Sequence, residues 1–233
     1  MSDPLTNHED DIIRSWHTNA QPWTRALDAQ SIASRKLVTD QAVIDAVGSV
    51  APARVLDVGC GEGWLARALC SQGIAVQGID VVPELIAAAQ RQGGGNFALC
   101  AYADLAAEGA RYGLFDAAVC NFSLLGQESV EALLGALRTQ LRPGGHLIVQ
   151  TLHPLAACGD LPYEDGWRAG TWAGFSADFR DPAPWYFRTL ASWYAMLRRL
   201  RYELVEYHEP TARGATAPSS AIFICTQPDA VGL

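Results

Sequence analysis

Positive charge is scarce in this chain. Its 233 residues carry 17 Lys and Arg against 25 Asp and Glu, a formal net charge of −8 at pH 7. No Lys/Arg-rich block occurs, which argues against a broad phosphate-binding face and against general nucleic-acid affinity. The local exception, "MLRRLR" at 196–201, reads as a solvated helix face. Long apolar runs are missing as well: nothing reaches the roughly 18 residues of a membrane-span candidate. The stretch "MSDPLTNHEDDIIRSW" is acidic where a secretion signal would be apolar. The six cysteines (Cys60, Cys70, Cys100, Cys120, Cys158, Cys225) are scattered, with no CxxC pair. Neither zinc nor a disulfide framework is implied, and free thiols in a reducing, cytoplasmic setting are the expectation. The five histidines are dispersed with no HxxxH, so no metal site is expected. There is no internal repeat and no low-complexity tract.

What is present is an ordered, globular composition, 49% hydrophobic and 18% charged. Residues 9–48 read as mostly helical, with Thr39 placed to cap "TDQAVIDAVGSV". After Pro52, "ARVLDVG" reads as a buried strand and "EGWLARALCSQG" as a helix closed by Gly73. "AVQGID" is a second strand, and "PELIAAAQRQG" a helix opened by proline and closed by Gly93. Third and fourth strands follow in "NFALCAYADL" and "LFDAAVCNFS". Then come a helix, "SVEALLGALRTQL", stopped by "RPGG", and a fifth strand, "HLIVQTL". This alternation predicts a doubly wound, mostly parallel α/β sheet covered on both faces. Residues 153–186 break the period and read as a lid or insertion. A last helix, "FRTLASWYAMLRRL", precedes two strands, "YELVEYHEP" and "SSAIFICTQ", expected as an antiparallel pair at the sheet edge. The expected organisation is an N-terminal helical cap (1–48), a core (49–152), a lid (153–187) and a C-terminal completion of the same domain (188–233).

"VLDVGCGEGW" at 55–64 sits where the first strand meets its helix, the ligand end of such a sheet. Gly59, Gly61 and Gly63 give a GxGxG spacing, and Trp64 stands where a dinucleotide fingerprint would have its last glycine. Glycine there permits positive φ and lets a ligand lie against bare backbone. Asp57 precedes the loop; an anion there suits a ligand carrying an amine better than a pyrophosphate. Asp80 ends the second strand about 20 residues on, where an acid accepts from ribose hydroxyls. Asp104 follows the third strand. Together these describe a nucleoside with a cationic amino-acid arm.

On these residues the chain resembles the class I S-adenosylmethionine-dependent methyltransferases of small-molecule type. "VLDVGCGEG" looks like their first motif and "GID" like the ribose-binding one. "YADL" resembles the adenine-side motif, "FDAAVCNFSLL" that of the fourth strand, and "LRPGGHLIV" the approach to the fifth. The resemblance implies a seven-stranded Rossmann-like sheet with an antiparallel last strand and methyl transfer by in-line displacement. It implies that Gly59, Cys60 and Gly61 line the methionine part and that Asp57 orients the loop or meets the amino group. Asp80 would take the ribose, with Val81 against the adenine; Asp104 and the Leu105 N–H would meet the adenine edge; Asn121 and Phe122 would lie below the sulfonium. Arg35 is a candidate for the carboxylate of the cofactor, or a solvated helix residue. Asp80 and Asp104 could instead cap helices, Asn121 could satisfy a strand end, and Cys60 reads as a small filler.

Methyl transfer from a sulfonium needs alignment above all, and a base only if the acceptor must lose a proton. His153, directly after the fifth strand, is the best base candidate, or else a strand-end cap. An acceptor pocket is expected from the N-terminal segment and the lid, with Trp16, Trp23, Trp167, Trp172, Trp185 and Tyr186 as walls for a planar small molecule, or as lid core. An NAD(P)-dependent oxidoreductase and a non-catalytic S-adenosylmethionine-binding subunit are the alternatives. A macromolecular methyltransferase fits the acidic surface less well.

Overall fold

The computed structural model describes residues 7–228; the ends of the acidic N-terminal stretch and of the chain lie outside them. Seven strands form one sheet. They are β1 (Arg54–Val58), β2 (Ala75–Asp80), β3 (Asn96–Leu99), β4 (Phe115–Asn121), β5 (Leu141–Leu152), β8 (Glu203–His208) and β9 (Ser220–Thr226). Their order is β3-β2-β1-β4-β5-β9-β8, and only the pairings of β9 with β5 and β8 are antiparallel. The sheet is therefore the expected Rossmann-like one. Order reverses between β1 and β4, so a crevice opens at their C-terminal ends.

The local chemistry explains the helices. After β1, α3 (Trp64–Ser71) ends at Gly73, whose φ of 86° lets the Ile74 N–H reach back to the Leu69 carbonyl at 3.2 Å. In α4 (Pro83–Gln92) proline fills the first turn, where its missing N–H costs nothing, and Gly93 closes the helix. One face of the sheet buries Val55, Val119 and Ile148 with Val43 and Val47 of α2 (Asp40–Ser49) and Leu65 and Leu69 of α3. The other packs Leu56, Val58 and Leu147 against α6 (Glu128–Leu137) and α8 (Leu190–Arg199).

Two expectations need correction. Thr39 does not cap α2: Arg35–Thr39 forms a turn of π-helix that runs straight into α2, and the buried Thr39 Oγ1 has no partner. "RPGG" does not separate helix from strand either. Helix α6 stops at Leu137, and β5 already begins at Leu141, pairing with Phe115. The register then skips to Ala117–His146, so Arg142–Gly145 is a bulge inside β5, with Gly144 at φ 71°.

The long helix α1 (His8–Asp28) lies over the crevice and is joined to residues 153–187. That segment, expected as a lid, holds α7 (Pro154–Cys158) and a two-stranded ribbon of β6 (Gly166–Arg168) and β7 (Trp185–Phe187). Asn19, fully buried in α1, donates to the Arg180 carbonyl at 2.7 Å and accepts from the Arg180 N–H at 2.9 Å. The Ser15 hydroxyl donates to the Asp181 carbonyl at 2.7 Å. At the other end of α1, Glu9 accepts from the N–H groups of Gln127 and Glu128 at 2.8 and 3.1 Å, covering the exposed donors of the α6 N-terminus. Buried Arg188 holds the same loop through the carbonyls of Gly126 and Gln127, and the Tyr186 N–H donates to Leu125.

Candidate active site

The glycine loop follows from backbone geometry. Gly59, Gly61 and Gly63 all have positive φ, 72°, 56° and 85°. A Cβ on Gly59 would fall 2.4 Å from the Ser123 Cβ and 3.0 Å from the Tyr102 hydroxyl, so that position is closed to any side chain. A Cβ on Gly61 would meet only the Trp23 indole nitrogen, at 4.0 Å. The Gly61 side of the loop is thus bare backbone facing open space under α1. The Gly59 and Cys60 N–H groups continue the sheet by donating to the Ile79 carbonyl.

Register puts Asp57, Asp80, Asn121 and Gln150 on one face of the sheet. Asp57 pairs with Gly78 and Val119, each two residues from Asp80 and Asn121, and Asn121 pairs with Gln150. Their satisfaction differs. The Asp80 carboxylate accepts from the Gly61 and Val82 N–H groups, both at 2.9 Å. It therefore ties the loop to β2 and keeps lone pairs for further donors. Burial raises its pKa, and those N–H groups oppose the rise. Gln150 donates to the Thr39 carbonyl and the Ser220 hydroxyl. Asp57 and Asn121 are incomplete: Asp57 Oδ2 and Asn121 Oδ1 are buried with no hydrogen-bond partner among the described residues. Burial, with the charges of Asp80 and Glu62 adding to it, pushes the Asp57 pKa up to about 8. The Gln150 Oε1 is orphaned as well. Three orphaned acceptors on one face of neighbouring strands, beside a bare glycine, fit a ligand that brings donors and positive charge.

The remaining expected cofactor residues are distributed around this centre. Cys60 is buried, and burial with the neighbouring Asp57 charge raises its thiol pKa, so it is a filler with no nucleophilic character. Val81 packs with Trp16 and Trp23 against Ala20, Val82 and Leu85. Asp104 is exposed, and its side chain caps nothing; Leu105 is fully buried. Phe122 takes a left-handed φ of 52° while donating its N–H to the Gln150 carbonyl at 2.8 Å, a costly conformation for an aromatic residue. Arg35 is mostly covered: its Nε bonds Asp40 Oδ1 at 2.9 Å and its guanidinium lies 4.5 Å from the Trp64 ring centroid. It lines a groove of about 370 Å³ with Asp28, Glu62, Trp64 and Arg67.

Sequence reasoning missed three contributors. Glu62 is 1% exposed, paired to Arg67 through one oxygen with the other left orphaned. Ser123 donates to the Val58 carbonyl at 2.7 Å, and Tyr102 to the Ser123 carbonyl at 3.0 Å, which seats both against Gly59. Glu62 lies between the loop glycines, a position where an acid could have been noticed. Tyr102 and Ser123 carry no local signal.

The aromatic residues do not form one wall. Trp16, Trp23 and Trp172 cluster with Phe175, with ring centroids 5.2 to 6.2 Å apart, where α1 meets the lid. Trp167 and Tyr186 pair at 5.4 Å across the ribbon, and Trp185 stands 6.0 Å from Phe187. His153 is 1% exposed, and its Nε2 lies 2.8 Å from Glu209 Oε1.

The strand order and the single antiparallel strand define a doubly wound sheet whose ligand end gathers Asp57, Asp80 and Asn121 around the glycine loop. A family model described as "Methyltransferase domain" matches residues 32–207, and the chain belongs to that family. Its class uses S-adenosylmethionine as cofactor. The chain is 42% identical over 110 residues to a ubiquinone biosynthesis O-methyltransferase of Xylella fastidiosa, covering 45% of this chain and 44% of that one. It therefore spans less than half the length of the curated relatives it matches. A Burkholderia thailandensis 1,6-didemethyltoxoflavin-N1-methyltransferase, solved with that compound and S-adenosylhomocysteine, has a TM-score of 0.65 at 20% identity over 98% of this chain and 94% of that chain. An S-adenosylmethionine-dependent methyltransferase of Mesorhizobium loti has a TM-score of 0.58 at 22% identity over 78% and 96%. These likenesses are of fold.

Proposed function

We propose that this chain methylates a small-molecule acceptor, with S-adenosylmethionine as donor. The observation that carries the reading is the orphaned Asp57 carboxylate oxygen beside the bare Gly61 backbone. An ammonium group supplies the charge and donors that this oxygen lacks. In the proposal Gly59, Cys60 and Gly61 line the methionine arm, and Arg35, whose Nε alone is engaged by Asp40, offers its terminal nitrogens to the carboxylate. Asp80 takes the ribose with its spare lone pairs, Val81 flanks the adenine, and Asp104 accepts from its amine while the Leu105 N–H meets its edge. Asn121 and Phe122 form the floor near the reacting methyl. The cofactor supplies a methyl group already activated on sulfur. The chain's own work is to bind, align and exclude water, which α1 and the lid do by closing over the strand ends. Residues 7–34 and 153–187 act together as the acceptor-side cover, and Trp16, Trp23 and Trp172 form the side where α1 meets it. Trp167, Trp185 and Tyr186 form its ribbon side, and His153 is the base. No helix among the described residues is long and apolar enough to cross a membrane, and a cytoplasmic setting suits the six free thiols.

Calorimetric titration with S-adenosylmethionine, with NAD as control, tests the reading. Asp80→Ala is a poor probe because it would also release the Gly61 and Val82 N–H groups. Asp104→Ala is clean, since its side chain has no structural partner. Expected are binding of S-adenosylmethionine alone and a roughly fivefold to tenfold weaker Kd in Asp104→Ala at unchanged Tm. Binding of NAD in its place, or no effect of the substitution, would refute the cofactor site as drawn.

A further inference from the structure

The loop before α6 is gripped from both sides. The Gly126 carbonyl accepts from one terminal nitrogen of Arg188 at 2.9 Å, and the Gln127 carbonyl from the other at 2.8 Å. The N–H groups of the same two peptide units, carried by Gln127 and Glu128, donate to Glu9 Oε1 at 2.8 and 3.1 Å. Two consecutive peptide groups thus lie end-on between a guanidinium and a carboxylate. The second Glu9 oxygen accepts from the Ser129 hydroxyl at 2.6 Å. A Cβ on Gly126 would fall 2.0 Å from that oxygen, so the grip needs glycine there.

Arg188 is 6% exposed, lies 4.8 and 5.3 Å from the Tyr186 and Trp193 ring centroids, and forms no direct ion pair among the described residues. A buried cation without an anion is costly. Glu9 supplies opposite charge across the two peptides, whose dipoles it polarises. Burial lowers the Arg188 pKa, and Glu9 is among the groups that oppose the drop. The three parts come from distant stretches of chain: Glu9 from the first turn of α1, the peptides from between β4 and α6, and Arg188 from directly after β7. Further along α1, Ser15 and Asn19 hold the backbone of Asp181 and Arg180, and Arg25 pairs with Asp178 at 3.0 Å. At its start the His8 ring lies 4.7 Å from that of Trp167. The inner side of the same helix rests on the ligand end of the sheet. Trp16 and Trp23 pack with Val81, and the Trp23 indole nitrogen stands 4.0 Å from where a Gly61 Cβ would be.

We infer that α1 and residues 153–187 open and close over the strand ends as one body, and that Glu9 and Arg188 are its latch, an ion pair made through two peptide groups. Lifting Glu9 leaves Arg188 a buried cation with no opposite charge across its peptides, so both halves of the latch engage together or release together. A ligand at the glycine loop and a ligand beneath the ribbon then enter and leave in the same opening.

The test begins with the full chain without ligand. Hydrogen exchange is followed in the wild type, Glu9→Ala, Arg188→Met and Gly126→Ala; the last keeps both charges and evicts only the Glu9 carboxylate. Each variant is expected to quicken exchange about fivefold to tenfold in 8–20 and in 172–181 alike, with 115–120 of β4 unchanged. Arg188 bonds to neither of the first two segments, so a merely local contact would not give the joint response. The Glu9→Ala, Arg188→Met double variant is expected within about twofold of the larger single effect, because one latch is lost only once. Quickening confined to 122–129, loosening of α1 without 172–181, or multiplied effects in the double variant overturns the proposal. If Arg188→Met does not fold, Glu9→Ala, Gly126→Ala and their double variant decide by the same criteria. A second arm rests on the methyl-transfer reading. Release of S-adenosylmethionine, followed in stopped flow by tryptophan fluorescence with Trp23 as reporter, is expected to speed up by a similar factor. Unchanged release beside quickened exchange overturns the shared opening. Failure of the wild type to bind S-adenosylmethionine overturns the functional reading alone, and the exchange arm still decides the latch.

Discussion

Asp57 gives the sharpest quantitative test. Its folded pKa is pushed up to about 8, against an ordinary value of 3.8, chiefly by burial. At pH 7 the unliganded protein then holds this carboxyl about nine-tenths protonated. An ammonium group placed against Oδ2 favours the ionised form, so binding should expel that proton. Calorimetry at pH 7 in buffers of different ionisation enthalpy reads the proton count directly. The wild type is expected to release about 0.9 proton more per bound S-adenosylmethionine than Asp57→Asn, because the cofactor's own amine titrates in both. The same shift has a stability consequence. A folded pKa raised above the unfolded one contributes stability that is full below pH 3.8 and is lost as pH rises to about 8. The loss is about 1.4 kcal/mol per pH unit, or about 4 kcal/mol by pH 7. Unliganded Asp57→Asn should therefore gain on the wild type in urea midpoints measured from pH 5 to pH 8. Equal proton release in the two proteins, or parallel stability curves, would refute both the buried-acid argument and the ammonium placement.

The loop glycines should separate fold from ligand. Gly59→Ala drives a Cβ into Ser123 and should lower Tm by several degrees, on the order of 1–3 kcal/mol. Gly61→Ala meets only Trp23 and should cost about 1 kcal/mol of stability while weakening S-adenosylmethionine binding at least tenfold, read by calorimetry beside thermal melts. Asn19→Ala removes both ties to Arg180 and should loosen the lid. Hydrogen exchange in 172–181 is expected to quicken 10- to 100-fold with little change in β1 or β4, at about 1–3 kcal/mol. Glu9→Ala uncovers the α6 N-terminus and should cost about 1 kcal/mol in chemical denaturation.

The core sheet was legible because its signals are local. Apolar runs of strand length, Gly73 and Gly93 at helix ends, and Pro83 at a helix start each act within a few residues, and crossover handedness then fixes the layers. The places of Asp57, Asp80 and Asn121 were legible for the same reason, since a strand end is a backbone position. What failed was register and partnership. "RPGG" has the composition of a break, yet the pairing of Leu141 with Phe115 makes it a bulge. Thr39 has the chemistry of a cap, but the π-turn before it leaves no helix start to cap.

Side-chain partners across the fold were least legible. Asn19 meets Arg180, Glu9 meets Gln127 and Glu209 meets His153 across more than fifty positions of chain, and no periodicity encodes such a meeting. Asp80 shows how the two levels combine. The motif marks it as a ribose acceptor, and the alternative made it a helix cap; its carboxylate holds the Gly61 N–H with one oxygen and the Val82 N–H at the start of α4 with the other. A carboxylate has about four acceptor sites, so holding the loop leaves room for a ligand. The same group that shapes the glycine turn then presents its remaining lone pairs to whatever the turn receives. A substitution at Asp80 therefore moves fold and affinity together, and a loss of binding there carries no information about the ligand unless Asp104 is tested beside it.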